Sequence, residues 1–208
     1  MLNIITKTVE QSSWEEIKAA IRDGNTEWLH SGDMIPITLK NGEELVLDVA
    51  RDESGKIIFV FHDCLNEAHV MNKRATNKGG WAKTEMRRYA NSDVFALLPD
   101  DLQAVIEPTT IVQIVDGERV ETNDKLFCLS RTQVFGKGWL SEKEPEDTQL
   151  DIFKSERARV KECGDNGTWP WWLRSANSTG NFNTVGTSGS NTNNSANNSY
   201  GVALGFSL

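Results

Sequence analysis

The chain has 208 residues, 38% apolar and 25% charged, enough for one sizeable core and too rich in apolar side chains for disorder by composition. Its formal net charge of −8 argues against the basic face that phosphate backbones and anionic membranes require, so nucleic acid is not an expected partner. No apolar run is long enough for a transmembrane helix, and the first residues lack the basic and apolar regions of a secretory signal, so no direct membrane insertion is expected.

The elements follow in chain order. Ser13-x-x-Glu16 is a capping box ahead of Trp14, Ile17 and Ile21 at helical spacing, and Gly24 closes that helix. Residues 35–39 and 45–49 alternate around Asn41-Gly42, which predicts a hairpin, and 57–61 is a third strand. Asn72 to Trp81 reads as a loop that packs a tryptophan, with Gly79-Gly80 as a tight turn. Thr84 to Tyr89 reads as a second helix with Met86 and Tyr89 in the core. A short helix opens at Pro99 with two acids, as the helix dipole favours. Residues 109–115 and 120 onward form a second hairpin around Asp116-Gly117, and 126–129 is a further strand. Gly136 to Asp151 is polar and acidic and reads as a loop. The predicted class is α+β, with two main helices, small antiparallel sheets and long ordered loops.

The C-terminal stretch is set apart by charge. Every charged side chain lies in residues 1–174, and none lies in 175–208. Asn177 to Tyr200 is almost wholly Asn, Ser, Thr and Gly. It lies between two strand-like segments, Trp169-Pro-Trp-Trp-Leu-Arg-Ser175 and Tyr200-Gly-Val-Ala-Leu-Gly-Phe206. A flexible linker would join domains or trail off, whereas an apolar strand on each side holds this tract as an ordered surface. Trp171 and Trp172 point to opposite faces of their strand, one to the core and the other to a ligand or a second layer. Arg174, in an otherwise neutral strand, is expected against an internal carboxylate or a tryptophan ring rather than a ligand.

Catalytic and metal signatures are sparse. His30, His62 and His69 show no HxxxH or HExxH spacing, and phosphate-binding and nucleophile-elbow motifs are missing. Cys64, Cys128 and Cys163 are odd in number and widely spaced, which suggests buried reduced thiols rather than a disulfide framework or a metal site. A Cys64–His62 nucleophile lacks a third partner at a suggestive spacing. No enzyme, metal or cofactor is expected. What remains is a scaffold presenting uncharged amide and hydroxyl groups, the chemistry that antibody loops use for adaptable recognition.

Trp171-Trp-Leu-Arg-Ser175, the Asn-rich stretch and Gly201-Val-Ala-Leu-Gly-Phe206 resemble the ligand-binding end of a C-type-lectin-fold protein, and above all the variable proteins of diversity-generating retroelements. The upstream pieces Ser13-Trp-Glu-Glu-Ile17, Gly79-Gly-Trp81 and Leu97-Leu-Pro-Asp-Asp-Leu102 resemble a bacterial and phage domain family ending in the same W-W-L-R-S strand. The resemblance implies a single C-type lectin-like domain over 1–208, with 175–208 a variable region ending in a core strand. In such systems a reverse transcriptase misincorporates opposite template adenines and the altered copy replaces the 3′ end of the gene. Asn codons, AAC and AAT, then become NNC or NNT, which encode Ser, Thr, Gly, Ala, Val, Phe and Tyr among others and never a stop. Every residue from Asn177 to Tyr200 is Asn or one of these.

The variable ligand-binding positions so implied are Asn177, Asn181, Asn183, Asn191, Asn193, Asn194, Asn197, Asn198 and Tyr200. Trp171, Trp172, Leu173, Arg174, Gly201 and Phe206 would be the scaffold. Calcium-dependent sugar binding is not carried over, because the region has no Asp or Glu. Nor is the activity of the formylglycine-generating enzymes, which share the fold, since Cys163 is single and precedes the W-W strand. The expected partner is a protein or glycan on a cell surface, with a second copy or a virion component as further partners. The expected location is a phage tail tip, after cytoplasmic expression, or a bacterial surface. The alternative is an invariant phage or cell-surface domain whose Asn-rich loop is a fixed protein interface.

Overall fold

The computed structural model describes residues 8–208. Helix α1 (Trp14–Asp23) starts at the Ser13 cap, whose hydroxyl accepts from the Glu16 N–H, and ends at Gly24. Trp14 and Ile17 are its buried residues. Trp14 meets Phe59 edge-on at 5.7 Å, and Phe59 stacks on Phe206 at 5.3 Å. One helix face is thereby fastened to the middle of a sheet, and truncating Ile17 to Ala would cost about 2–4 kcal/mol.

That sheet has five strands in the order β1 (Met34–Thr38), β2 (Glu44–Arg51), β3 (Ile57–Phe61), β12 (Leu204–Phe206) and β7 (Phe127–Cys128). Strands β1 (Met34–Thr38) and β2 (Glu44–Arg51) form the first predicted hairpin, and β3 (Ile57–Phe61) pairs antiparallel with β2. A short β4 (His69–Val70) follows. Helix α2 (Glu85–Tyr89) is capped by Thr84 and continues through a π turn at Ala90–Val94 into α3 (Phe95–Leu97). Helix α4 (Asp100–Val105) leads to the second predicted hairpin, β5 (Thr109–Val115) and β6 (Glu118–Asp124). Then come β7 (Phe127–Cys128) and α5 (Arg131–Phe135). Three strands, β8 (Trp171–Ala176), β9 (Asn181–Val185) and β10 (Asn191–Ser195), form a separate sheet in the order β10-β9-β8. Strand β11 (Ser199–Tyr200) pairs with β4, and β12 (Leu204–Phe206) lies between β3 and β7. The architecture is mixed α and β, with small antiparallel sheets and few, short helices.

Two expectations need correction. The second helical segment does not stop at Tyr89. Met86, Ala90 and Val94 are fully buried at helical spacing, so core packing carries the helix across Asn91-Ser92-Asp93, which are weak helix formers. The Asn91 side chain donates to Arg87 and Leu126 carbonyls at 3.0 and 2.8 Å and accepts from the N–H groups of Lys125 and Leu126. Asn91 lies within the π turn, the widened single turn that interrupts an α-helix. Helix α5 was not anticipated, although its signature is present: Ser130 and Gln133 form a reciprocal capping box.

Candidate functional site

The site is built on β8. Trp171 and Trp172 do point to opposite faces, but both are fully buried, so neither meets a ligand. The Trp171 indole donates to the Arg159 carbonyl at 2.9 Å and that of Trp172 to the His69 carbonyl at 2.8 Å. The second layer expected behind one of them is supplied by Tyr200, edge-on to Trp172 at 5.1 Å. Leu173, Gly201 and Phe206 are also buried.

Arg174 is fully buried against an internal carboxylate. Its guanidinium pairs with Asp147, donates to the Cys128 carbonyl at 2.9 Å and to Gln133 Oε1 at 2.7 Å, and lies over the Phe127 ring. The register of β8 against β9 shifts between Trp172 and Ala176. Within that irregularity the Arg174 N–H donates to the Leu129 carbonyl instead, at 2.9 Å. A bulge of this kind re-aims a side chain, and here it carries the guanidinium to Asp147 in the acidic 136–151 segment.

The Asn-rich tract is an ordered hairpin. Strands β9 and β10 pair antiparallel from Asn191↔Val185 to Ser195↔Asn181. Its tip is pinned to the body, because a Cβ on Gly189 (φ 81°) would lie 1.9 Å from the Glu156 carbonyl oxygen, and Arg159 donates to the Gly189 carbonyl at 3.0 Å. Its base is clamped by Asn77, which donates to the Ser178 and Asn181 carbonyls at 2.8 and 2.9 Å and accepts from the Gly180 N–H. Asn77 lies far upstream and was not among the expected site residues. The sequence signal there, Gly79-Gly80, marks a turn and says nothing about a clamp.

The expected ligand-facing positions divide by exposure. Asn191, Asn193, Asn197 and Asn198 are exposed, and Asn177, Asn181, Asn194 and Tyr200 are half-buried. Asn183 is fully buried and corrects the expectation of an open contact residue, because its amide is consumed internally. It accepts from Asn177 at 3.0 Å and donates to Asn191 Oδ1 at 2.9 Å and the Thr192 carbonyl at 3.3 Å. Asn181 donates to Asn193 at 2.8 Å. On the other face Tyr200 donates to Asn194, which donates to Thr184, both at 2.9 Å.

Beside the hairpin lies a cleft of about 520 Å³ bordered by Lys78, Gln113, Lys143, Glu144, Asn177 and Thr179. Glu144 is buried at its floor. Its carboxyl accepts from the Thr132 hydroxyl at 2.7 Å, the Thr132 N–H at 3.1 Å and the Ser175 hydroxyl. Burial pushes its pKa up, while the Arg174 charge and the Ser175 and Thr132 hydrogen bonds draw it down.

Elsewhere, His62 gives Nδ1 to Asp48 at 2.9 Å, a bond that raises the imidazole pKa. All three cysteines are free and buried. Among the described residues, no group of three or more His, Cys, Asp and Glu side chains is placed to hold a metal ion.

The chain belongs to the DUF6273 family, a domain of unknown function, whose model matches residues 55–208. The match takes in β3 through β12, and with them the W-W-L-R-S strand and the entire hairpin. No curated protein and no solved structure matches the chain.

Proposed function

We propose that this member of the DUF6273 family is a hypervariable ligand-binding protein of C-type lectin-like fold, diversified across 175–208 by a retroelement and displayed on a phage tail tip or a bacterial surface. One observation carries the reading: an uncharged hairpin presents Asn191, Asn193, Asn197 and Asn198 outward, while buried residues on both sides hold its backbone. Exposed positions accept substitution within about 0.5 kcal/mol, whereas core positions do not. A surface that changes without unfolding its framework needs that separation. The ligand is a protein or glycan on a cell surface, recognised through amide and hydroxyl groups, and multivalent display multiplies weak single contacts. No helix among the described residues is long and apolar enough to cross a membrane.

The test is deep sequencing of the 3′ end of the gene and its flank across the source population. Substitutions concentrated at adenines of the codons for the exposed asparagines, with a near-identical repeat beside a reverse transcriptase gene, are the expected result. Buried Asn183 should vary least. An invariant tract with no repeat overturns the proposal.

A second reading, a fixed protein interface, is favoured by the amide pairs. Asn177, Asn183 and Asn191 are joined in series, and Asn181 is joined to Asn193. A pre-organised ladder of this kind suits one constant partner. Strand β10 is also the open edge of its sheet, where a partner strand can pair. Under this reading, changing Asn191 and Asn193 together abolishes assembly with a virion or surface partner.

A further inference from the structure

We infer that Cys64 and Cys163 form a reversible disulfide site that joins the exit of β3 to the approach to β8. The two cysteines are far apart in sequence but adjacent in the fold. The Cys64 N–H donates to the Glu162 carbonyl at 2.8 Å, which sets the two chain segments side by side. A carbon built on Gly201 as a Cβ would lie 2.4 Å from Cys64 Sγ and 2.5 Å from Cys163 Sγ. The sulfurs therefore lie close to one point and are separated by no more than those two distances laid end to end. Gly201 is required here for space, since any side chain would collide with both sulfurs. Each backbone is anchored independently: Leu65 donates to Val202 at 3.0 Å and Cys163 to Gly167 at 3.0 Å. Bringing together two thiols already held on fixed neighbouring segments needs side-chain rotation rather than refolding.

The surroundings suit exchange chemistry. Burial pushes the Cys64 thiol well up, and its neighbour Cys163 adds to this, so the resting Cys64 is a protonated, inert thiol. The buried Lys161 ammonium acts in the opposite direction on Cys64 and supports the thiolate that exchange requires. Cys128 is not part of the pair. It sits in β7 opposite Leu204, with its thiol pushed up to about 12 by burial.

With a small disulfide such as oxidised glutathione as the oxidant, the Cys64 thiolate attacks one sulfur and releases one glutathione thiolate. The Cys163 thiolate then attacks Cys64 Sγ and releases the second. One S–S bond breaks and one forms. Two electrons pass from the protein to glutathione, and the two thiol protons end on the two glutathione molecules. Closing so long a loop restricts the unfolded chain.

The test uses the whole protein, both native and refolded from reduced denaturant, in glutathione buffers of graded ratio. Samples are alkylated under denaturing conditions and weighed. We expect two of the three thiols to disappear together in one two-electron step, with a proteolytic fragment linking Cys64 to Cys163 and Cys128 always alkylated. The oxidised form should unfold at a higher urea midpoint, and C128A should behave as the parent does. Three alkylatable thiols at the most oxidising ratio in both preparations overturn the proposal. So do a linkage through Cys128 and glutathione adducts that never resolve. These readings come from the parent chain and survive even if C64S or C163S fails to fold.

Discussion

Asn183→Ala and Asn193→Ala are the same chemical change at two positions paired directly across the hairpin, and they should behave differently. Asn183 is fully buried. Removing its amide deletes the bonds from Asn177 (3.0 Å), to Asn191 (2.9 Å) and to the Thr192 carbonyl (3.3 Å). A neutral hydrogen bond is worth about 1 kcal/mol net, and a buried group left unpaired costs about 1–3 kcal/mol. Asn191 is exposed and Asn177 half-buried, so both can recover water, which brings the expected loss to about 2 kcal/mol. With a urea m-value of about 2 kcal/mol/M, the unfolding midpoint should fall by about 1 M. Asn193→Ala removes one bond, from Asn181 at 2.8 Å, at an exposed position, and should stay within about 0.5 kcal/mol. Tryptophan fluorescence reads both, since Trp171 and Trp172 are fully buried in the strand paired with the hairpin. If the two variants have equal midpoints, the division of the tract into framework and display surface is wrong.

Gly189→Ala should destabilise by about 2–4 kcal/mol, because a Cβ meets the Glu156 carbonyl at 1.9 Å and φ is 81°; a thermal melt unchanged from the parent would refute the pinned tip. Arg174→Ala leaves Asp147 and Gln133 without their buried partner and should cost about 3–5 kcal/mol, measured by urea unfolding. The Asp48 hydrogen bond raises the His62 pKa from 6.5. The folded state therefore holds more protons than the unfolded one, and this contribution to stability is full below pH 6.5 and is lost as pH rises through the raised value. Urea midpoints measured across that range should fall with pH in the parent, and Asp48→Asn should make the slope shallower.

The local elements were legible because short-range rules encode them. Ser13 and Glu16 cap α1 whatever the chain does elsewhere, and Asn41-Gly42 and Asp116-Gly117 set two hairpins through their own backbone preferences. The confinement of charge to residues 1–174 marked the tract as a separate surface. A strand following the tract implied that it would be ordered. That Arg174 would find a carboxylate followed from the expense of burying a lone charge.

Which carboxylate, and at what depth each asparagine sits, did not follow. Asp147 reaches Arg174 because of the irregular pairing of β8, and Asn77 reaches the base of the hairpin from the far side of the chain. Period-two alternation groups Asn181 and Asn183 on one face, yet it cannot say that Asn183 is covered and Asn181 is not. Helix α2 runs past its weak formers because Ala90 and Val94 find a core. The three cysteines looked isolated on the basis of spacing, and two of them meet only where the segments on either side of Gly201 fold together. By itself the sequence determined what is decided within a few residues: caps, turns, alternation and the uncharged surface. Tertiary structure alone decided burial depth and long-range partners, because both depend on apolar area removed from water by segments that are distant along the chain.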